Sequence, residues 1–160
     1  MDKLNLKISE TELTEFLSNS STNNLEATGD FFIEIFMECF LMKTSQSLTH
    51  LKIILERYKN FFTSILSPSE SSQTVALNSI QEFWTFSPWH IQIYIQNFLE
   101  YKLVKPNVVI NWIFKNLENS SLKIMEDCYN WKIIENLLDR NITRVESLKE
   151  DIKKVLFKGL

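Results

Sequence analysis

The chain has 160 residues, the length of a single domain that can bury a sizeable core. Hydrophobic residues make up 44% of it, whereas glycine occurs twice and proline three times, which favours long helices and excludes a glycine-rich phosphate-binding loop. The net charge is −3 and the basic residues are scattered among acidic ones, so the basic stripe of a stand-alone nucleic-acid-binding protein is missing. No segment reads as a signal peptide or a membrane span, and we expect no membrane partner.

The chain divides into three predicted parts. Residues 1–29 are polar and rich in Ser, Thr and Asn, which predicts a partly ordered N-terminal arm. Residues 30–142 show helical spacing of apolar side chains throughout and predict a helical domain. Residues 143–160 predict a C-terminal amphipathic helix, as the start of a coiled coil.

The first predicted helix, "DFFIEIFMECFLMK" from Asp30, is apolar on most of its circumference. Only Glu34 and Glu38 interrupt it, and their spacing of four residues places them on one narrow strip. Such a helix is expected to be buried on several sides. Its outer cover is the arm, a further domain or a partner protein, and the sequence leaves these three alternatives open.

The next two helices are predicted over about residues 47–66 and 72–86. Apolar residues at alternating three- and four-residue spacing form the buried face of the earlier one, with Lys52 and Glu56 opposite. The later one is expected to bury an apolar set: Ala76, Leu77, Ile80, Phe83 and Trp84. Ser87 as N-cap and Pro88 at the first helical position then start a fourth helix.

The fourth helix, about residues 88–102, carries two apolar faces. Its main stripe consists of Ile91, Tyr94, Ile95, Phe98 and Leu99. Trp89 and Ile93 fall roughly opposite that stripe, and Lys102 lies at the rim. We predict that these three residues bind a partner; the alternative is that Trp89 and Ile93 pack on the next helix pair.

Three more helices are predicted, over about residues 106–117, 120–141 and 143–157. In the first of these the apolar stripe of Val109, Ile110, Ile113 and Leu117 leaves Asn111 away from the core. The second is expected to bury Cys128, Trp131, Ile134 and Leu138. The third has a heptad-like seam: Val145, Leu148, Ile152 and Val155.

About seven helices joined by short polar loops predict an all-α fold. Consecutive antiparallel pairs with two-faced helices favour a stacked, HEAT-like α–α superhelix of the armadillo type over a closed four-helix bundle.

Catalytic and metal-binding patterns are missing from the sequence. His50 and His90 have no convincing ligand partner at metal-site spacing, and no nucleophile elbow, HExxH or CxxC motif occurs. We therefore predict no catalytic residues, no metal, no cofactor and no enzymatic activity. Cys39 and Cys128 are far apart in apolar stretches, which favours buried free thiols in a reducing compartment.

Three segments carry a resemblance to a known family. They are "TSQSLTHLKIILERYKNFF", "EFWTFSPWHIQIYIQNFLEYKLVKPNVVINWIF" and the helix that holds Trp131. In order and spacing they resemble the C-terminal helical domain of the large subunit of the nuclear cap-binding complex. That domain is of the type first named for the middle domain of initiation factor 4G. The residues that carry the resemblance are Ser47, His50, Trp84, Pro88, Asn111, Trp112, Ile113 and Phe114.

This resemblance implies a non-enzymatic nuclear scaffold that shuttles to the cytoplasm. It implies that the chain supports the small RNA-recognition subunit, and that this small subunit reads the mRNA cap. The chain itself is expected to pack with other helical domains of the same chain and to bind RNA-processing and export factors. Its contact with RNA is expected to be only indirect. One departure is Lys105-Pro106, which stands where the family tends to have an acidic cap. The alternative function is a HEAT-like protein–protein adaptor in translation or RNA decay that is not tied to caps. A weaker alternative is direct RNA binding.

Overall fold

The computed structural model describes residues 28–119 and 127–158 of the chain. Within these ranges it contains seven α-helices and no β-strand, which confirms the predicted all-α fold. The helices are α1 (Thr28–Thr44), α2 (Leu48–Arg57), α3 (Lys59–Leu66), α4 (Glu70–Phe83), α5 (Pro88–Glu100), α6 (Pro106–Asn119) and α7 (Asp127–Lys158). Residues 1–27 of the predicted arm are outside the described residues, and so are the side chains of Leu117 and Cys128.

The helices form two layers. In one layer α4 packs between α1 and α6, and in the other α5 contacts both α3 and α7. Each helix of the first layer also contacts the helix that follows it, so α1 pairs with α2, α4 with α5, and α6 with α7. Connections of three or four residues join α1 to α2 and α4 to α5, and connections this short are typical of antiparallel neighbours. The result is three stacked helix pairs, which is the HEAT-like arrangement expected from the sequence.

An aromatic cluster joins the two layers at the centre of the core. The Phe62 ring of α3 is fully buried and lies 4.9 Å from the ring centre of Phe40 and 5.2 Å from that of Phe36, both on α1. Phe98 of α5 completes the contact at 5.8 Å from Phe62. Most of these pairs meet edge to face, the arrangement that the charge distribution of aromatic rings favours.

The helix predicted over residues 47–66 is two helices, and the break lies at Tyr58. The backbone of Tyr58 leaves helical geometry at φ −109° and ψ 22°, yet its N–H still donates to the Ile54 carbonyl and its carbonyl accepts from the Phe62 N–H. Both backbone hydrogen bonds of Tyr58 are therefore kept at the break. It allows Phe61 and Phe62, adjacent in sequence, to be buried together against Phe36.

From residue 127 onward, the helices predicted over residues 120–141 and 143–157 form one continuous helix, α7, and residues 120–126 fall outside the described residues. No glycine or proline occurs in it, and the Thr143 hydroxyl donates to the Asp139 carbonyl one turn earlier, so nothing interrupts the helix there. Every side chain from residue 138 to residue 155 is exposed, so this part extends away from the helix pairs. The division of the chain at residue 142 stays a prediction.

The buried face of α7 also differs from the prediction. Ile133, Ile134 and Leu137 are buried, whereas Trp131 and Leu138, which were expected inside, are exposed. The helix carries two apolar stripes, and only the one centred on Ile134 contacts α5 and α6. Periodicity alone does not decide which of two such stripes is turned towards the core.

The first helix is buried on one side only within the described residues. Ile33, Met37, Phe40 and Leu41 belong to the core, but the opposite side exposes apolar residues: Phe31, Ile35 and Met42. Cys39 on the same helix is half-buried with a free thiol. Phe83, predicted to be buried, is exposed at the end of α4, and Trp84 is half-buried. No helix among the described residues combines the length and apolar character needed to cross a lipid bilayer.

Candidate protein-binding surfaces

The turn between α4 and α5 is built around a stacked pair of rings. Trp84 ends α4 as its C-cap, and its ring lies 3.9 Å from the His90 ring at an angle of only 6°. The His90 Nδ1 is hydrogen-bonded to the Ser87 hydroxyl at 2.6 Å. His90 is therefore held in place on the half-buried side of the turn rather than being a freely solvated surface histidine.

This turn presents exposed aromatic side chains. Ser87 is the N-cap of α5 and Pro88 occupies the first helical position, as predicted, although the Ser87 hydroxyl bonds to His90 and not to a helix N–H. Phe86 is 100% exposed and Trp89 is 50% exposed. The Trp89 ring meets the His90 ring edge to face at 4.8 Å, so His90 contacts both Trp84 at the end of α4 and Trp89 at the start of α5. Rigid, exposed aromatic side chains are typical of protein-binding hot spots.

A buried hydrogen bond anchors α5 beneath this turn. The Thr44 hydroxyl at the end of α1 donates to the Phe40 carbonyl at 2.8 Å and is hydrogen-bonded to the Tyr94 hydroxyl, also at 2.8 Å. Burial raises the pKa of the Tyr94 hydroxyl above its ordinary value, and the hydrogen bond with Thr44 acts in the opposite direction. Tyr94 therefore stays neutral and serves to fix α5 against α1.

The structure does not bring the three predicted partner-binding residues into one patch. Trp89 is exposed in the first turn of α5, but Ile93 is half-buried and packs against the core. Lys102 is exposed beyond the other end of the helix, which at about 1.5 Å per residue places its backbone about 20 Å from Trp89. Trp89 instead shares its end of the helix with Phe86, a residue that the sequence analysis did not single out.

Lys102 has a conformational role at the end of α5. Its φ of 60° is the only positive value of a non-glycine residue among the described residues. The Leu103 N–H donates to the Phe98 carbonyl at 2.9 Å, which closes the helix with the bonding pattern that usually requires glycine at this position. The turn directs Leu103 and Val104 into the core.

We expect Lys102→Gly to raise the free energy of unfolding by about 1 kcal/mol, because glycine adopts this conformation without the steric cost of a Cβ. Lys102→Ala is the control, since it removes the charge but keeps the Cβ, and it should leave stability unchanged. Urea unfolding followed by circular dichroism measures both. Equal effects of the two substitutions would contradict the conformational role.

The resemblance residues on α2 lie at its start. Ser47 is the N-cap of α2; its carbonyl accepts from the Leu51 N–H, while its hydroxyl makes no capping bond. His50 follows in the first turn and is half-buried. Both are positioned by the local geometry of the helix start.

The four resemblance residues on α6 divide between core and surface. Trp112 and Ile113 are buried, and the Trp112 indole donates to the Asn78 side chain of α4 at 2.8 Å. Asn111 is exposed, as predicted, and Phe114 is exposed as well. This segment therefore fastens α6 to α4 through Trp112.

A second candidate surface runs along the extended part of α7. The predicted seam residues are all exposed: Val145, Leu148, Ile152 and Val155. Leu138, one heptad before Val145, continues the same line towards the helix pairs. An apolar line at heptad spacing on an otherwise charged helix is the pattern of a helix–helix contact. The structure thus presents an exposed apolar line on which a second helix could pack to form the predicted coiled coil.

Within the part of the chain that the structure describes, no three His, Cys, Asp or Glu side chains are grouped so that they could hold a metal ion. The exposed ion pairs on α7, such as Lys132–Glu135 at 2.7 Å, are spaced three residues apart along one helix and contribute little to stability.

Comparison with known proteins gives a consistent result. A family model described as MIF4G like matches residues 1–157. Over 123 residues the chain is 25% identical to "Nuclear cap-binding protein subunit 1" of Arabidopsis thaliana, which covers 77% of this chain and 14% of that protein. The protein of the same name from Oryza sativa is 26% identical over 81% of this chain, and that from Xenopus tropicalis is 24% identical over 79%. The chain spans only 14–16% of the length of these relatives, and the matches confirm the resemblance predicted from the motifs.

Proposed function

The chain belongs to the MIF4G-like family, and from that premise we propose that it is a non-enzymatic helical scaffold domain of a nuclear cap-binding complex. The observation that carries this proposal is the family match over residues 1–157 together with the similarity to cap-binding subunit 1 of three organisms. In this role the chain supports the small cap-binding subunit and offers surface to RNA-processing and export partners. It acts in the nucleus; shuttling to the cytoplasm and a reducing compartment stay predictions.

The surface chemistry supports a protein scaffold. Stacked helix pairs present extended surfaces of the kind that repeat proteins use for binding. The exposed aromatic turn with Phe86 and Trp89 is apolar, and no Lys or Arg is near it in the sequence. A protein that neutralises several phosphates needs clustered Lys and Arg, which this chain does not have. We therefore propose that contact with the cap and with RNA runs through the small subunit, and that Trp89, Ile93 and Lys102 contribute to protein contacts.

A co-retention experiment on cap-analogue resin tests this function. The chain is applied alone or with the purified small subunit of a nuclear cap-binding complex. We expect retention only when the small subunit is present, because in the proposed function that subunit reads the cap. Retention without the small subunit would assign cap reading to this chain. If the chain is retained in neither case, the function reverts to a HEAT-like adaptor that is not tied to caps.

We expect Trp89→Ala to weaken the affinity for the small subunit by about 2 kcal/mol, the size of effect that a central aromatic contact has in an interface. Ile53→Ala is the control, because Ile53 is 55% exposed and lies on α2, outside both candidate surfaces. Surface plasmon resonance with immobilised small subunit measures both variants, and thermal unfolding verifies that both fold. Equal affinity of wild type and Trp89→Ala would remove the aromatic turn from this interface.

A further inference from the structure

A groove of about 310 Å³ lies between α1 and α4, on the side of α1 that faces away from the core. Its lining consists of Phe31, Glu34, Ile35, Glu38, Ser79, Glu82 and Phe83. Phe31 is 59% exposed and Ile35 is 45% exposed, so the groove is bordered by large apolar side chains in contact with water. Contiguous exposed apolar surface of this kind marks interaction sites in soluble proteins.

The groove is acidic as well as apolar. Glu34, Glu38 and Glu82 are exposed, and none of these carboxylates has an ion pair or hydrogen bond with another described residue. Among the described residues, no lysine or arginine lines the groove. The one hydroxyl, that of Ser79, already donates to the Val75 carbonyl within α4. The groove thus combines apolar contact area with three negative charges that have no counterpart in the described chain.

The spacing of these side chains specifies a helical ligand. Phe31 and Ile35 are one helical turn apart, and so are Glu34 and Glu38, which gives an apolar row beside an acidic row along α1. A second helix laid along α1 would match them with an apolar row and with Lys or Arg at every fourth position. The volume, at the lower limit of small-molecule pockets, accommodates one or two large side chains of such a helix.

We propose that this groove binds a basic amphipathic helix of another protein, which inserts apolar side chains between Phe31, Ile35 and Phe83 and pairs Lys or Arg with the three glutamates. The groove adjoins the aromatic turn, since the Phe83 ring lies 5.1 Å from the Trp84 ring, but Phe86 and Trp89 are not among its lining residues. The proposed binding requires neither a cap nor the small subunit. Binding at the groove therefore goes beyond the scaffold function, and an experiment can refute either proposal without refuting the other.

Charge distinguishes this partner from the chain's own N-terminal arm. Residues 1–27 contain two lysines and five carboxylates, a net charge of −3, which has the same sign as the groove. Like charges placed opposite each other oppose binding, whereas a basic helix is attracted. Charge complementarity therefore favours an external basic segment over the arm as the occupant.

The test uses the full chain and a synthetic fluorescent helix of leucine and lysine, with the lysines at every fourth position, read by fluorescence anisotropy. A second peptide has glutamate in place of each lysine. We expect the basic peptide to bind and the acidic one not to bind. Glu34→Lys with Glu38→Lys should weaken the basic peptide at least about tenfold, because two attractive pairs become repulsive. Ile35→Ser should weaken it as well.

A charge-matched variant, Glu56→Lys with Glu146→Lys, is the control, since it changes the net charge by the same amount on α2 and α7. We expect it to bind like wild type. Equal loss in both double variants would reduce the effect to net charge and overturn the proposal, as would the absence of binding or equal binding of both peptides. Sedimentation velocity of the chain alone adds one more outcome. Self-association that the Glu34/Glu38 variant abolishes would make a second copy the occupant and overturn the partner assignment.

Discussion

Phe62→Ala is expected to lower the free energy of unfolding by about 3–5 kcal/mol, a large share of the stability of a typical domain. The Phe62 ring is fully buried and contacts Phe36 and Phe40 of α1 and Phe98 of α5 within 5.8 Å between ring centres. Its truncation removes the transfer free energy of the ring, leaves a cavity between the layers and eliminates three aromatic contacts at once.

Urea unfolding followed by circular dichroism measures this loss. Phe86→Ala is the matched control, because the Phe86 ring is completely exposed and its removal should change stability by less than about 0.5 kcal/mol. Phe62→Leu keeps most of the buried volume and should cost about 1–2 kcal/mol. A cost of Phe62→Ala no larger than that of Phe86→Ala would show that the layers are not joined at this cluster.

The parts of the fold that could be predicted have local signals. Pro88 and Pro106 stand at the first positions of α5 and α6, so the starts of both helices follow directly from the sequence. The apolar stripe of α5 predicts its buried face because the core residues Tyr94, Ile95 and Phe98 repeat at helical spacing. Where composition and periodicity agree, tertiary packing only confirms the local preference.

The parts that could not be predicted depend on contacts distant in sequence. Nothing near Tyr58 ends a helix; the break there follows from the packing of Phe61 and Phe62 on α1. Likewise, α7 carries two apolar stripes, and only its contacts with α5 and α6 turn the stripe of Ile134 inward and leave Leu138 exposed. Propensity is a weak guide wherever tertiary packing offers a stronger interaction.

The same distinction applies to the candidate surfaces. Trp89 was identified because it falls opposite the main stripe of α5, and it is exposed. Lys102 was assigned to the same surface from the helical pattern, but the helix ends before it and the residue adopts a left-handed conformation. Phe86 was missed because it lies in the loop, where periodicity gives no signal. The stack of Trp84 on His90 requires the geometry of the turn, which sequence spacing does not contain.

Gln73 shows how a buried polar residue can be overlooked: its polar side chain suggests an exposed position, although it stands three and four residues before Ala76 and Leu77 on the buried face of α4. It is 2% exposed, its amide donates to the Leu66 carbonyl at 3.2 Å, and its carbonyl accepts from the Lys105 N–H at 2.8 Å. One side chain thus supplies hydrogen-bond partners for the Leu66 carbonyl at the end of α3 and for the Lys105 N–H just before α6. Glu70, also on α4, lies 3.6 Å from the Lys105 ammonium. Its carboxylate is thus close to the Lys105-Pro106 segment, where the family tends to have an acidic residue and this chain has none.

We therefore expect Gln73→Met to lower the free energy of unfolding by about 2–4 kcal/mol. Methionine fills the space but leaves the Leu66 carbonyl and the Lys105 N–H without partners, and each unsatisfied buried group costs about 1–3 kcal/mol. Gln46→Met, at an exposed loop position, controls for the change in residue type and should be neutral. Urea unfolding gives the magnitude, and amide hydrogen exchange gives the location, because protection should fall first at Lys105 and in the first turn of α6. Uniform loss of protection across all helices, or stability equal to that of wild type, would contradict the bridging role of Gln73.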